Sequence, residues 1–448
     1  MKPVVAVIGR PNVGKSTFFN RVTRTRDALV ENFPGVTRDR IYGDAQWNDV
    51  DFTLVDTGGF TEAVDEFNPQ IKFQIEQALQ DADVIVVMLD GKAGISPFDS
   101  DIINMLRSVT KPVLFAVNKI DGIEQEDRLY EFYSIGVEDL YPLSAEHSYG
   151  INDFLDHLVD SLSDIIAGQA PEESEKSVKV AVVGRPNVGK SSLINRILGE
   201  KRLLVSDIPG TTRDAVDSFY KTGDTLYRLI DTAGIRRKGK VHKKLEKFSI
   251  IKALKSLDRC DVALIVLDAD AGVTEQDVTI AGYAYERGCG CIFLLNKWDL
   301  VEKDSKTAKR YQEQVRMDSK FLQFAPVLTI SALTGLRVPK VFKVVDEVYR
   351  QYNTRVGTGM LNKVFERAIL KNEPSLHRGR RLKFYYATQV STRPPTFVCF
   401  VNYPDAVHFS YKRYLLNQVR GETGLDSTSL RLIFRQRKGR PKGAPKKS

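Results

Sequence analysis

No stretch of this 448-residue sequence holds the ~18 consecutive apolar residues needed to cross a bilayer. Met1-Lys2-Pro3 leads straight into an apolar β-branched run, so the expectation is that no signal or transit peptide precedes the first element. Cysteine is scarce. Cys260, Cys289, Cys291 and Cys399 make up the complement, and no Cys/His spacing suited to zinc occurs. That pattern excludes a zinc fold, and four packed or free thiols fit a reducing compartment. Nothing supplies a flavin or one-carbon site either. These absences point to a soluble cytoplasmic protein with no membrane partner. Its length leaves room for about three domains.

What is present is a repeat. Gly9-Arg10-Pro11-Asn12-Val13-Gly14-Lys15-Ser16 recurs letter for letter as Gly184-Arg185-Pro186-Asn187-Val188-Gly189-Lys190-Ser191. The 175-residue offset also carries Thr37 onto Thr212 and Asp56-Thr57 onto Asp231-Thr232. Two identical octamers with the same downstream marks are not a chance match to G-x-x-x-x-G-K-[ST]. Each follows a β-branched run (4–8 and 180–183) and precedes an amphipathic helical pattern. The glycines let backbone N–H groups wrap phosphate oxygens, and the helix N-terminus adds its dipole. Lys15 and Lys190 place a charge on the β- and γ-phosphates, while Ser16 and Ser191 offer a hydroxyl to Mg²⁺.

The base is read further along. Asn118-Lys119-Ile120-Asp121 and Asn296-Lys297-Trp298-Asp299 each close an apolar strand (112–117 and 291–295). A carboxylate there accepts from guanine N1–H and the exocyclic amine, a donor pair that adenine lacks. Ser144-Ala145 and Ser331-Ala332 follow a further strand and offer N–H groups to the guanine carbonyl. The nucleotide reads as GTP or GDP. Asp56-Thr57-Gly58-Gly59 and Asp231-Thr232-Ala233-Gly234 supply a carboxylate for the Mg²⁺ shell and a glycine N–H for the γ-phosphate. Thr37 and Thr212 are candidates for the second hydroxyl on the metal. With Lys15 and Lys190 they are the candidate catalytic residues. Where Ras-like proteins have a water-orienting glutamine, this chain has Phe60 and Ile235, so intrinsic hydrolysis is expected to be slow.

On these two complete motif sets, over nearly the whole chain, the sequence resembles the Der (EngA) GTPases. The resemblance implies two tandem G domains, a C-terminal KH-like domain, and GTP hydrolysis coupled to assembly of the large ribosomal subunit. Related GTPases also lack the glutamine and use a phosphate-loop asparagine to help hold a potassium ion. Asn12 and Asn187 occupy that position.

Charge and composition mark the boundaries. Residues 1–175 carry 14 basic against 31 acidic side chains, residues 176–352 carry 32 against 21, and residues 353–448 carry 20 against 5. The basic two-thirds suits a polyanion such as ribosomal RNA; the first domain does not. The organisation reads as a first G domain over 1–166, an acidic linker over 167–177, a second G domain over 178–352, a KH-like domain over 353–435 and a basic tail over 436–448. The G domains are α/β, with mostly parallel doubly wound sheets. The third domain is α+β in the order α-β-β-α-β, with strands at 382–390, 396–402 and 430–435. Its second helix is expected from an N-cap at Ser410 to a stop at Gly421. Gly421-Glu422-Thr423-Gly424 has the letters of an RNA-clamping KH loop, but it precedes a strand and reads as a helix stop and turn. A basic run, 236–247, follows the second metal-side aspartate and suits phosphate backbone, as does the tail. A monomeric GTPase switch is the leading function. A GTP-sensing scaffold with little turnover remains open.

Overall fold

The structure is a computed structural model and describes residues 2–23, 42–57, 69–107, 109–137, 139–167, 177–199, 217–232, 250–374 and 381–436. These divide into two compact units: residues up to 167 with 250–258, and residues 177–232 with 259–436. Among the described residues no helix is long and apolar enough to cross a membrane.

The first unit runs β1 (Val4–Ile8), α1 (Lys15–Thr23), β2 (Tyr42–Trp47), β3 (Val50–Asp56), α2 (Pro69–Asp81), β4 (Val84–Asp90), α3 (Pro97–Leu106), β5 (Val113–Asn118), α4 (Leu129–Phe132), β6 (Leu140–Pro142) and α5 (Ile151–Ala167). The sheet order is β2-β3-β1-β4-β5-β6, parallel except for β2. Strands β1 and β4 are buried along their whole length, which is why they read as continuous Val/Ile runs. Helices α1 and α5 meet the sheet in one core, where Phe18 packs edge-on to Phe154 at 5.7 Å. The strands end along one edge, where the loops carrying the motifs emerge.

The second unit repeats this plan with β7 (Val178–Val183), α6 (Lys190–Gly199), β8 (Ser218–Thr222), β9 (Thr225–Leu229), β10 (Val262–Asp268), α8 (Glu275–Arg287), β11 (Gly290–Asn296), α9 (Thr307–Asp318), β12 (Val327–Thr329) and α10 (Val338–Tyr352), while α7 (Ile250–Arg259), between β9 and β10 in the chain, counts with the first unit up to residue 258. Its sheet order, β8-β9-β7-β10-β11-β12, is the same topology, with β8 antiparallel. The unit continues into α11 (Thr358–Lys371), β13 (Phe384–Thr392), β14 (Pro395–Val401), α12 (Phe409–Thr423) and β15 (Arg431–Gln436). The expected order α-β-β-α-β is found, with β13 antiparallel and β15 parallel to β14.

The second helix of this part differs from its expectation at both ends. Helix α12 is capped by His408, not Ser410, and it runs through Gly421 to end at Gly424. Gly421 need not stop the helix, because the left-handed residue is Gly424, at φ +69°. Arg420 closes the exit by donating to the carbonyls of Leu425 and Thr428 at 3.1 and 2.6 Å. Gly421-Glu422-Thr423-Gly424 is therefore the end of one helix, not a loop between two.

The α+β part is fastened to the second sheet's surroundings by polar contacts. Ser429 donates to the Cys289 carbonyl at 2.7 Å and Arg431 to that of Glu286 at 2.7 Å. Gln351 bonds both Asp426 and the Ser427 N–H at 2.8 Å, and the Arg420 guanidinium lies 3.8 Å over the Phe324 ring. All four cysteines are free thiols.

Candidate nucleotide-binding sites

Each phosphate loop joins a buried strand to a helix. Gly9 and Gly184 have φ +152°, Asn12 and Asn187 have φ +61° and +63°, and Gly14 and Gly189 have φ +99° and +96°. The glycines are required by close neighbours as well as by φ. A Cβ on Gly9 would collide with the Met88 carbonyl, and one on Gly14 with Nδ2 of Asn118. Gly184 and Gly189 face Val266 and Asn296 in the same way. Val13 and Val188 are fully buried and anchor the loops, while Asn12 and Asn187 are exposed at the tips.

Lys15 is only 7% exposed, and its ammonium donates to the carbonyls of Gly9 and Arg10 at 2.8 and 2.7 Å. Burial pulls its pKa down to about 8, with Asp56 opposing. A buried ammonium held by two carbonyls of the loop suits an anion. Lys190 donates likewise to the Arg185 carbonyl at 2.7 Å. Ser16 Oγ donates to Asp56 Oδ2 at 2.6 Å, so the hydroxyl and carboxylate read as metal ligands already meet. Thr57 is buried and donates to the Val7 carbonyl, whereas Thr232 lies 2.5 Å from Ser218.

The base-reading motifs are fastened to the phosphate loops. Asn118 donates from Nδ2 to the Val13 carbonyl at 2.7 Å and accepts the Ala145 N–H on Oδ1 at 2.9 Å. Asn296 makes the same pair to Val188 and Ala332, at 2.8 and 2.9 Å. The N–H groups of Ala145 and Ala332 thus fix the asparagines, and those of Ser144 and Ser331 go to the Tyr149 and Leu336 carbonyls. Lys119 reaches both the Asn12 carbonyl at 2.9 Å and Asp90 at 2.6 Å. Asp121 Oδ1 accepts from Ser144 Oγ at 2.7 Å, while Oδ1 of Asp299 is buried with no hydrogen-bond partner. An orphaned buried carboxylate oxygen is costly unless a donor completes it, and guanine carries two. Ile120 and Trp298 are buried; Trp298 packs edge-on to Tyr311 at 5.2 Å.

Motif reading missed a third layer. Arg10 forms an ion pair with buried Asp99 at 3.5 Å and donates to the Gly94 carbonyl at 3.1 Å. Arg185 does so with Asp277 at 3.2 Å and Gly272 at 3.4 Å. Asp90 and Asp268 hold Lys119 and Lys297. The signal was available at an offset of 178, which maps Asp90, Gly94, Ser96 and Asp99 onto Asp268, Gly272, Thr274 and Asp277. Pro11 and Pro186 carry no polar role. Thr37, Thr212, Gly58, Gly59, Phe60, Ala233, Gly234, Ile235, the run 236–247, linker residues 168–176 and tail residues 437–448 lie outside the described residues.

Known proteins are similar to this chain over both sites. Residues 4–119 and 179–297 match the family described as "50S ribosome-binding GTPase". Residues 355–435 match "KH-domain-like of EngA bacterial GTPase enzymes, C-terminal". GTPase Der of Desulforapulum autotrophicum is 57% identical over 450 residues, which cover 98% of this chain and 92% of that protein. GTPase Der of Geotalea daltonii is 49% identical over 99% of this chain and 100% of its own length. That of Moorella thermoacetica is 50% identical, over 97% and 99%. With the asparagine clasp common to both sites and nearly the full length aligned, this chain belongs to the Der (EngA) family of GTPases.

Proposed function

We propose that this chain is a GTP-driven switch in maturation of the large ribosomal subunit, binding pre-ribosomal RNA in its GTP state and leaving after hydrolysis. The observation that carries the reading is the asparagine clasp, Asn118 to Val13 and Asn296 to Val188. A base reader locked to a phosphate loop serves a whole guanine nucleotide, and it is built twice. Asp121 and Asp299 accept from the base, and Lys15 and Lys190 meet the phosphates. Ser16, Thr37 and Asp56 hold Mg²⁺ in the first domain; Ser191, Thr212 and Asp231 hold it in the second. The 2.6 Å approach of Ser16 to Asp56 supports that donor set. Bound Mg²⁺ would neutralise phosphate charge, whereas hydrocarbon Phe60 and Ile235 cannot orient the attacking water. Asn12 and Asn187, exposed at the loop tips, suit a potassium ion as a further charge element. The chain is organised as G domains over 1–166 and 178–352 about an acidic linker, then 353–435 and a basic tail over 436–448. It acts as a cytoplasmic monomer, with its basic portion facing rRNA.

Sedimentation with purified large subunits tests the switch. A non-hydrolysable GTP analogue should strengthen association and GDP weaken it, with turnover faster in potassium than in sodium at equal ionic strength. Neutralising Arg236, Arg237, Lys238, Lys243 and Lys244 should flatten the salt dependence, each lost phosphate contact lowering the slope by about 0.7–0.9. Equal binding of both nucleotide states would leave the scaffold reading in place of the switch.

A further inference from the structure

The two sites share a plan but part company at the metal-side aspartate. In the first domain Asp56 is the last residue of β3, paired beside Val7 in the sheet. In the second, β9 ends at Leu229, and Asp231 has a left-handed φ of +59°. Its N–H donates to Oδ1 of Asp217 at 2.8 Å. The other oxygen, Oδ2, accepts from Arg228 Nε at 2.7 Å and from Arg259 Nη2 at 2.5 Å. The carboxylate is largely shielded, its side chain 7% exposed. Two arginines thus fix one oxygen while the other grips the backbone of Asp231. Among the described residues the first domain shows no such clasp: Tyr42, Thr53 and Asp81 stand at the corresponding positions.

We infer that Asp217 is a positioning residue of the second nucleotide site, holding Asp231 away from the strand-end position that Asp56 takes in the first. The inference rests on the reading of Asp231 as a metal-side carboxylate. A divalent cation that needs Asp231 at the strand end must break a charge-assisted hydrogen bond first, and that work is subtracted from its binding. The second site therefore responds to Mg²⁺ at higher concentration than the first. An aspartate tolerates the left-handed region better than most side chains, so the clasp holds it at modest cost.

The experiment follows a fluorescent GDP analogue on the full-length chain while Mg²⁺ is titrated, with and without Asp121→Asn to silence the first domain. Two Mg²⁺ midpoints are expected in the unmutated chain, and the higher one survives Asp121→Asn. Asp217→Ala should lower that midpoint by about tenfold, the scale of one charge-assisted hydrogen bond. Asp217→Asn keeps the shape with a weaker acceptor and should move it the same way by less. Mg²⁺-free GDP affinity should not change, whereas general loosening of the site would lower it. A midpoint that is unmoved or raised in both variants overturns the inference. Asp231→Asn separates the two levels: if it leaves the Mg²⁺ response intact, the metal-side reading fails and the inference falls with it. If it abolishes the response while Asp217→Ala shifts nothing, only the clasp fails.

Discussion

Lys119 brings its ammonium to 2.6 Å from Asp90, and Lys297 stands at the same 2.6 Å from Asp268. Both lysines have left-handed backbones, φ +69° and +60°, so each ion pair pins a turn that carries a base reader. Burial pushes the Asp90 carboxyl up, but Lys119 and the N–H groups of Ala93 and Lys92 outweigh it and hold the pKa below the ordinary value. Asp268 is held down in the same way by Lys297 and two N–H groups. Asp90→Asn and Asp268→Asn should each weaken GDP binding in their own domain by roughly three- to tenfold, because the lysines are partly solvated. Preference for guanine over adenine should survive. Fluorescent-GDP titration of each variant decides it, and undiminished affinity would remove the pairs from the binding apparatus.

Gly14→Ala and Gly189→Ala should abolish nucleotide binding at their own site while leaving the fold assembled. Each added Cβ meets a left-handed backbone and the amide of Asn118 or Asn296 together. A loss of about a hundredfold or more in GDP affinity is expected from a displaced loop. Circular dichroism beside the titration separates a lost site from a lost domain.

Base identity should follow the carboxylates. Asp121→Asn and Asp299→Asn replace an acceptor by an amide and should move preference from GTP towards XTP in one domain each. Competition of GTP, ATP and XTP against a labelled nucleotide reads this out. Full GTP affinity in either variant would end the assignment for that domain.

The Lys15 pKa of about 8 makes first-domain binding pH-dependent. Nucleotide phosphates favour the ammonium, so binding raises that pKa and takes up a proton wherever the free site has lost one. Affinity should therefore fall as pH climbs through about 8, by up to ~10-fold per unit, and this group should change little below 7. The folded pKa lies below 10.5, so the nucleotide-free domain also gains stability from this group as pH rises past 8. Calorimetry in two buffers of different ionisation heat should detect proton uptake at pH 8.5, lost in Lys15→Arg.

The end of helix α12 gives a paired test. Gly421→Ala lies inside the helix, and its Cβ meets nothing within 4 Å, so it should stabilise by about 0.5–1 kcal/mol. Gly424→Ala, at φ +69°, should destabilise by about 1 kcal/mol. Thermal melts of the full chain suffice. The opposite signs would place the helix stop at Gly421 after all.

The elements that sequence conveyed best were those whose reason is local. The run Val4–Ile8 occupies one buried strand, and the octamers carry their own φ requirements, so β1 and both loops were legible in advance. What stayed hidden depends on partners far along the chain. Arg10 finds Asp99 at a separation of 89 residues, and only a second offset, 178 instead of 175, brings that pair into view. The N–H groups of Ala145 and Ala332 looked free for a base, yet they serve Asn118 and Asn296. Gly421 looked like a stop because glycine composition carries no φ.

Strand β11 begins one residue after Cys289, whose carbonyl takes the hydroxyl of Ser429, and it ends on Asn296, the residue that joins base loop to phosphate loop. Its seven residues span about 20 Å at the usual rise. The strand is buried throughout and paired on both sides, so it behaves as a strut with little give. The contact of the C-terminal fold through Ser429 thus meets one end of this strut, and the asparagine of the second N-K-x-D motif is mounted on the other. A displacement at the Ser429 end is therefore carried along the strand itself to the loop that meets Val188.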